Sequence, residues 1–244
     1  MIEYLWLFLI LALLAEIIGT MGGFGSSLLF VPIASYFLDF QSVLGITAIF
    51  HVVSNLSKIA MFRKGIDKNL LIYLGIPAVV FVFFGAYFSK YVVSTNLEIG
   101  LAIFLIGTSL YLLIYKEFRI QPNKRNSVIG GVLSGGVAGL IGTGGAIRGI
   151  TLAAFSLKTE AFIATSAVID FGVDSTRGIV YWMNGYIHPH DLYLVPFLFV
   201  IGILGTYIGK RLLAFVSEQK FKVFVLILIL ITGVYTLLTA SGII

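Results

Sequence analysis

Apolar runs alternate with short polar connections along the whole chain. They fall at roughly 4–18, 24–38, 43–62, 70–90 and 97–115, then again at 127–141, 146–157, 161–183, 190–209 and 221–240. A helix needs about 20 apolar residues to cross the hydrocarbon of a bilayer. The last three runs of each set are long enough to cross alone. The first two of each set are short and share a glycine-dense break. The breaks are Gly19-Thr20-Met21-Gly22-Gly23-Phe24-Gly25 and Gly142-Thr143-Gly144-Gly145. Each is expected to end one helix and start another, and helix starts carry unpaired N–H groups and the positive end of the dipole. Inside a bilayer such backbone is tolerated only where protein buries it or it lines a watery cavity. Two breaks in corresponding places of two similar halves point to the binding site of a secondary transporter. The plainer reading of either break is close helix packing through small residues.

The halves correspond in detail. Gly65-Ile66-Asp67 matches Gly185-Tyr186-Ile187, Pro77 matches Pro196, and Gly85-Ala86-Tyr87 with Lys90 matches Gly205-Thr206-Tyr207 with Lys210. This predicts an internal repeat of about 120 residues, with residues 1–120 and 121–244 as its halves and the two together as one transmembrane domain.

Composition agrees with the pattern. The chain has 244 residues, 59% hydrophobic and 11% charged, with a mean hydropathy of +1.06. A soluble domain is excluded by so little charge. The net charge of +5 sits mostly in connections, so it bears on topology and implies no nucleic acid. Cysteine is absent, which removes disulfides and thiolate chemistry. Met1-Ile2-Glu3-Tyr4 lacks the basic start and small-residue cleavage site of a signal peptide, so the run from Leu5 reads as a retained membrane helix.

Charge sets the expected topology. The basic connections are Arg63-Lys64 with Lys68, Lys116 and Arg119 with Lys124-Arg125, and Lys210-Arg211 with Lys220 and Lys222. The positive-inside rule places all three in the cytoplasm. Between the second and third, 161–183 and 190–209 already supply two crossings, so 127–157 must enter and leave on one side. By the same parity 4–38 is a hairpin opening outside, and both termini lie outside. One hairpin plus three crossings per half is an odd number, which predicts inverted repeats.

Ionisable groups at membrane depth are costly and mark function by default. Asp170, Asp174 and Arg177 share one helical face, and His51, Asn55 and Lys58 repeat the spacing in the first half. Both polar stripes are expected to face the interior. The structural alternatives are an Asp174–Arg177 ion pair, snorkelling of Lys58 and Arg177, and a hydrogen-bonded core role for His51. Glu16 and Arg148 flank the two breaks and are placed to pair or to flank a substrate together. Arg148, at the start of a half-helix, favours an anion. Glu16, Asp170 and Asp174 balance Lys58, Arg148 and Arg177, so a proton on His51 or a carboxylate would offset a bound anion. Asp170 and His51 are the two groups placed to carry it. His188-Pro189-His190-Asp191 has metal-ligand residue types but reads as a turn. Gly25-Ser26-Ser27 suggests a serine nucleophile for which no general base can be assigned.

The paired glycine breaks, the repeat, the Gly65-Ile66-Asp67 turn and the length together resemble the sulfite exporter TauE/SafE family, over nearly the whole chain. Met21-Gly22-Gly23-Phe24-Gly25 through Val31-Pro32 is similar to that family's glycine-rich first-helix pattern. Thr165-Ser166 is similar to its small polar pair, with Gly45-Ile46-Thr47 the looser partner. The second glycine run departs from the pattern, since no proline occupies 150–155 and Arg148 interrupts it. The resemblance implies outward transport of sulfite, sulfonates and related anions.

The expectation is therefore an all-α, multi-pass protein of the inner or plasma membrane, built of two inverted repeats. Its partners would be a small anion and the lipid bilayer. Substrate contacts are expected from Gly22, Gly23, Gly25, Asn55, Gly144, Gly145, Arg148, Ser166 and Arg177. Proton coupling is expected from His51, Asp170, Asp174 and Glu16. No catalytic residue, metal ligand or cofactor is expected, and without a P-loop the energy source is a gradient or a partner protein. The rivals are a cation or metal permease using Asp170, Asp174 and Glu16, and an intramembrane enzyme using Ser26 or His51.

Overall fold

The computed structural model describes residues 4–23, 25–115, 120–215 and 218–243. Phe24 of the first break and Lys116 and Arg119 of the second basic connection lie outside the described residues, as do the side chains of Lys220 and Lys222. Among those described there is no strand. The helices are α1 (Leu5–Gly22), α2 (Ser27–Ala34), α3 (Phe40–Met61), α4 (Lys68–Ser89) and α5 (Ser94–Ile114), then α6 (Lys124–Ile141), α7 (Gly145–Ala153), α8 (Thr159–Met183), α9 (Pro189–Leu212) and α10 (Glu218–Ala240). The second five repeat the order and approximate lengths of the first five.

Six of these helices are long and apolar enough to cross a membrane: α1, α3, α4, α5, α9 and α10. Two differ from what the sequence suggests. α1 runs on through Gly19 to Gly22, longer than its apolar run, because glycines packed against neighbours do not break a helix. The break therefore begins at Gly23, and Gly22 is helical. α8 has 25 residues but carries Glu160, Asp170, Asp174 and Arg177, too much charge to count as apolar.

Each half opens with a hairpin. Gly23 and Gly142 take left-handed backbone, with φ of 69° and 79°, and close α1 and α6 through N–H bonds to the carbonyls of Gly19 and Ala138. Glycine takes this conformation at little cost. After its turn α2 doubles back along α1, which brings Ser26 to Glu16 and the rings of Phe30 and Phe37 to Phe8 at 5.9 and 5.4 Å. α7 doubles back along α6 in the same way, placing Thr151 against Gly130 and Gly144 against Ser134. With 8 and 9 residues, α2 and α7 span about 12–14 Å, less than half of the hydrocarbon thickness.

Side-chain caps start α3, α4 and α6: Asp39 accepts from Ser42 N, Asp67 from Asn69 N and Leu70 N, and Asn123 from Asn126 N. Pro77 and Pro196 sit a few turns into α4 and α9, rather than at their starts. Each follows a change of pitch, a π turn at Leu71–Gly75 and a 3₁₀ turn at Pro189–Leu194. Proline cannot donate to the preceding turn, so the pitch adjusts there.

Small residues let the helices approach closely. Gly131, Gly135 and Gly139 of α6 lie against the backbone carbonyls of Leu74, Ala78 and Val82 in α4. In the corresponding contact between the halves, Gly205 and Gly209 of α9 receive Glu16, Ile17 and Thr20 of α1. Small-residue packing thus occurs on helix faces and also at the breaks, where Gly19 lies against Ser26 and Gly144 against Ser134.

α3 and α8 cross the middle of the molecule antiparallel. Ala48 lies by Gly178, Asn55 by Asp174, and Asp67 by Thr165. The connections separate to the two ends. At one, Lys210 bonds the Met61 carbonyl, Lys124 stacks over Tyr73 and Gly65 packs on Ala161. At the other, Ser42 meets His188 and Asp191, and Ser89 meets Tyr186.

The break at Gly142 carries a clear expectation. Gly142→Ala forces a β-carbon into left-handed backbone and against Leu44 and Val31, a cost of about 1–2 kcal/mol from conformation alone. Gly136→Ala, whose β-carbon meets nothing within 4 Å, is expected to be neutral or to stabilise by up to about 1 kcal/mol. Melting curves in detergent compare the two; equal melting temperatures would mean that the turn at Gly142 is not held as described.

Candidate functional site

The two breaks meet. Ser27 Oγ lies 3.0 Å from Thr143 Oγ1, Val31 and Leu44 close over Gly142, and the Arg148 guanidinium reaches Gly25. α3 and α8 pass on either side of this junction and turn their polar stripes toward it. The stripes face each other directly, with Asn55 Nδ2 donating to Asp174 Oδ2 at 2.7 Å.

The three acidic and three basic side chains of the two stripes and the breaks are all paired. Arg177 donates to Asp174 Oδ1 through Nε and Nη2, both at 2.7 Å. Arg148 pairs with Asp170, and Ser166 bridges them, accepting from Arg148 Nε at 3.1 Å and donating to Asp170 at 3.3 Å. Lys58 pairs with Glu16 at 2.8 Å. Glu16 and Arg148 therefore do not pair with each other. Glu16 lies a turn before its break and faces α3 and α9, where Ser54, Thr20, Ser26 and Thr206 all donate to it. Lys58 does not snorkel; it is 5% exposed and also donates to Ser54.

A directed chain of hydrogen bonds links the halves. Arginine can only donate, so Arg177 Nη2, 3.4 Å from His51 Nδ1, makes that nitrogen an acceptor. In the tautomer with its proton on Nε2, the ring donates to Ser26 Oγ at 2.8 Å. Ser26 in turn donates to Glu16 Oε2 at 2.6 Å. His51 thus touches Ser26, a base that spacing alone did not reveal. The polarity is opposite to a nucleophile's, because the serine proton points to Glu16, and no carboxylate orients the ring. α8 also closes the end of α6, with Arg177 Nη1 donating to the Gly142 carbonyl at 2.5 Å and Tyr181 to that of Gly139 at 2.7 Å.

Two cavities adjoin the junction. The larger, about 20 Å³, is lined by Gly25, Ser26, Ser27, His51, Gly142, Thr143, Gly144, Arg148, Asp174 and Arg177, together with Asn55, Lys58 and Asp170. The second, about 10 Å³, lies toward Thr20, Gly23, Ile163 and Ser166, and shares Gly25, Asn55, Lys58 and Asp170 with the first. Of the residues expected at a site, Gly22, Gly145 and Glu16 line neither cavity; the others do. Charged side chains around the larger cavity are Lys58, Arg148 and Arg177 against Asp170 and Asp174, with Glu16 behind the lining as the counter-ion of Lys58. The first turns of α2 and α7 also face it, and neither has a side-chain cap. Ser27, Ser54, Thr143 and Thr206 escaped the sequence reading, since lone hydroxyls carry no periodic signal; Ser54 alone was findable, one turn before Lys58.

The profile of a family described as "Sulfite exporter TauE/SafE" matches residues 8–236. The chain is also 24% identical, over 262 aligned positions covering 95% of each protein, to "Probable membrane transporter protein MJ0441" of Methanocaldococcus jannaschii. No solved structure matches.

The buried pairs predict asymmetric energetics. Glu16→Gln leaves Lys58 without a counter-ion at 5% exposure, and a loss of about 3–5 kcal/mol is expected. Glu16→Gln combined with Lys58→Met is expected to recover most of it, as read by thermal melting in detergent. A double variant no more stable than the single one would mean that the two charges are not coupled.

Proposed function

The chain belongs to the sulfite exporter TauE/SafE family of membrane transporters, and on that premise we propose that it is a secondary transporter exporting small sulfur-containing anions, such as sulfite or organosulfonates, together with a proton. In this reading the halves 1–120 and 121–244 are inverted repeats, with the basic connections on the cytoplasmic side. The antiparallel run of α3 and α8, and the separation of connections to two ends, support that arrangement.

One observation carries the choice of an anion. The cavity at the junction is lined by the guanidinium of Arg148, and two uncapped half-helix starts face it. Partial positive charge from unpaired N–H groups adds to the guanidinium of Arg148. A cation permease needs free carboxylates, whereas Asp170, Asp174 and Glu16 are each held by a cation. An enzyme needs a serine whose proton points to its base, whereas Ser26 donates to Glu16.

In the proposed mechanism the anion binds between Gly25, Ser27, Thr143 and Gly144, where Arg148 turns from Asp170 toward it. Asn55 and Arg177 hold the opposite wall. Release of Asp170 from its arginine leaves a buried carboxylate without its cation, and protonation relieves it. Asp170 lines both cavities and Asp174 only the larger, which favours Asp170 as the carrier. His51 is the second titratable group at the junction, while Glu16 stands behind it as a fixed counter-ion to Lys58.

Sulfite flux from proteoliposomes under an imposed pH gradient tests this. The native chain is expected to respond to the gradient, and Asp170→Asn to lose the response while retaining binding. Arg148→Ala is expected to weaken binding about 10- to 100-fold, the worth of hydrogen bonds to a charged group, with Arg148→Lys intermediate. Undiminished pH dependence in both Asp170→Asn and His51→Gln would show that neither carries the proton.

A further inference from the structure

The link between α8 and α9 holds a second cluster, far along the chain from the ion pairs. Between Arg177 and Lys210 the sequence has no lysine or arginine, and its ionisable side chains other than tyrosine are His188, His190 and Asp191. The 3₁₀ turn Pro189–Leu194 gathers all three. A turn of three residues per revolution eclipses positions three apart, so Asp191 returns under His188, and its N–H donates to the His188 carbonyl at 3.0 Å. Pro189 fixes the backbone between the two imidazoles, whose rings stack 5.2 Å apart and 6° from parallel.

The carboxylate of Asp191 is divided between the rings. Oδ2 lies 3.7 Å from His188 Nδ1, and Oδ1 lies 3.4 Å from His190 Nε2. Asp191 is 2% exposed, and a carboxylate is costly to bury unless it is paired and hydrogen-bonded. Ser42 in the first turn of α3 completes the group. Its Oγ is 2.6 Å from Asp191 Oδ2 and 2.7 Å from His188 Nδ1. With one proton to give, Ser42 donates to the carboxylate and accepts from the ring.

We propose that His188, His190 and Asp191 form a binding site for a divalent first-row transition metal of the zinc type. One ligand atom from each residue lies within 4.8 Å of the others. Ligand atoms held about 2.0–2.2 Å from a tetrahedral zinc lie roughly 3.3–3.6 Å apart; the histidine–carboxylate separations of 3.7 and 3.4 Å are near that range but run to different oxygens of Asp191. Closure therefore takes a turn of the carboxylate and of His190, whose side chain is 72% exposed. Two imidazoles and a carboxylate suit zinc, and the fourth position is left to water. Binding at His188 Nδ1 displaces the proton now given to Ser42, which remains as the hydrogen-bonding partner that orients the carboxylate. A loaded site ties the α8–α9 link to the first turn of α3. It thereby joins the two helices that carry the polar stripes, at the end away from the basic connections.

Cobalt(II) titration of the purified, tag-free protein in detergent tests the site, because a tetrahedral cobalt centre absorbs in the visible. The expected result is one saturable equivalent per chain, displaced by zinc and raising the melting temperature. His190→Ala is expected to weaken binding at least about tenfold, the effect of losing one ligand, without changing the melting temperature of the metal-free protein. His188→Ala with His190→Ala is expected to abolish the band. A native chain with no saturable band, or a His190→Ala variant that binds as the native chain does, overturns the proposal.

Discussion

Three buried ion pairs constrain this molecule more than any other feature. A buried charge that loses its partner is penalised by several kcal/mol, so each cation fixes the helix that carries its carboxylate. Lys58–Glu16 ties α3 to α1, Arg148–Asp170 ties α7 to α8, and Arg177–Asp174, with Asn55 on the same carboxylate, ties α8 to α3. The hydroxyls of Ser54, Thr20, Ser26 and Thr206 fill the remaining acceptor sites of Glu16. The hairpins can then end in mid-protein, because their broken backbone meets polar side chains rather than lipid. Arg177 shows the dependence most directly: one guanidinium holds Asp174, closes the end of α6 at Gly142 and orients His51.

Those constraints also limit what the junction can do. Its carboxylates are each committed to a cation, while the half-helix starts are not. An arriving anion can therefore compete for Arg148 against Asp170, and the released carboxylate becomes the place for a proton. Substrate and proton are linked through a shared guanidinium rather than through a rearrangement of distant parts.

Much of this was legible in the sequence because helices write their faces periodically. The spacing of His51, Asn55 and Lys58, and of Asp170, Asp174 and Arg177, put a polar stripe on each helix that should face the interior; that the stripes meet, with Asn55 on Asp174, the structure adds. The breaks were legible because glycines that take left-handed backbone recur in both halves, at Gly23 and Gly142. Pairing was not legible. Whether Glu16 turned to Arg148 or to Lys58 depended on how α1 rotates against α9, which Gly205 and Gly209 decide by admitting Glu16 and Thr20. Ser27 and Thr143, 116 residues apart, have no pattern that links them. His188, His190 and Asp191 read as a turn and do form one; their convergence needed the pitch of that turn and Ser42 from another helix.

The claim at the centre of this account is that an anion occupies the space where the two breaks meet. The native chain contains no cysteine, so Thr143→Cys introduces a single reporter into that space. Its rate of alkylation in purified protein is predicted to fall saturably as small organosulfonates are added. The rate at Gly107→Cys, on the exposed side of α5, is predicted to stay constant. An alkylation rate at Thr143→Cys that organosulfonates leave unchanged, or that only divalent cations slow, would contradict the account.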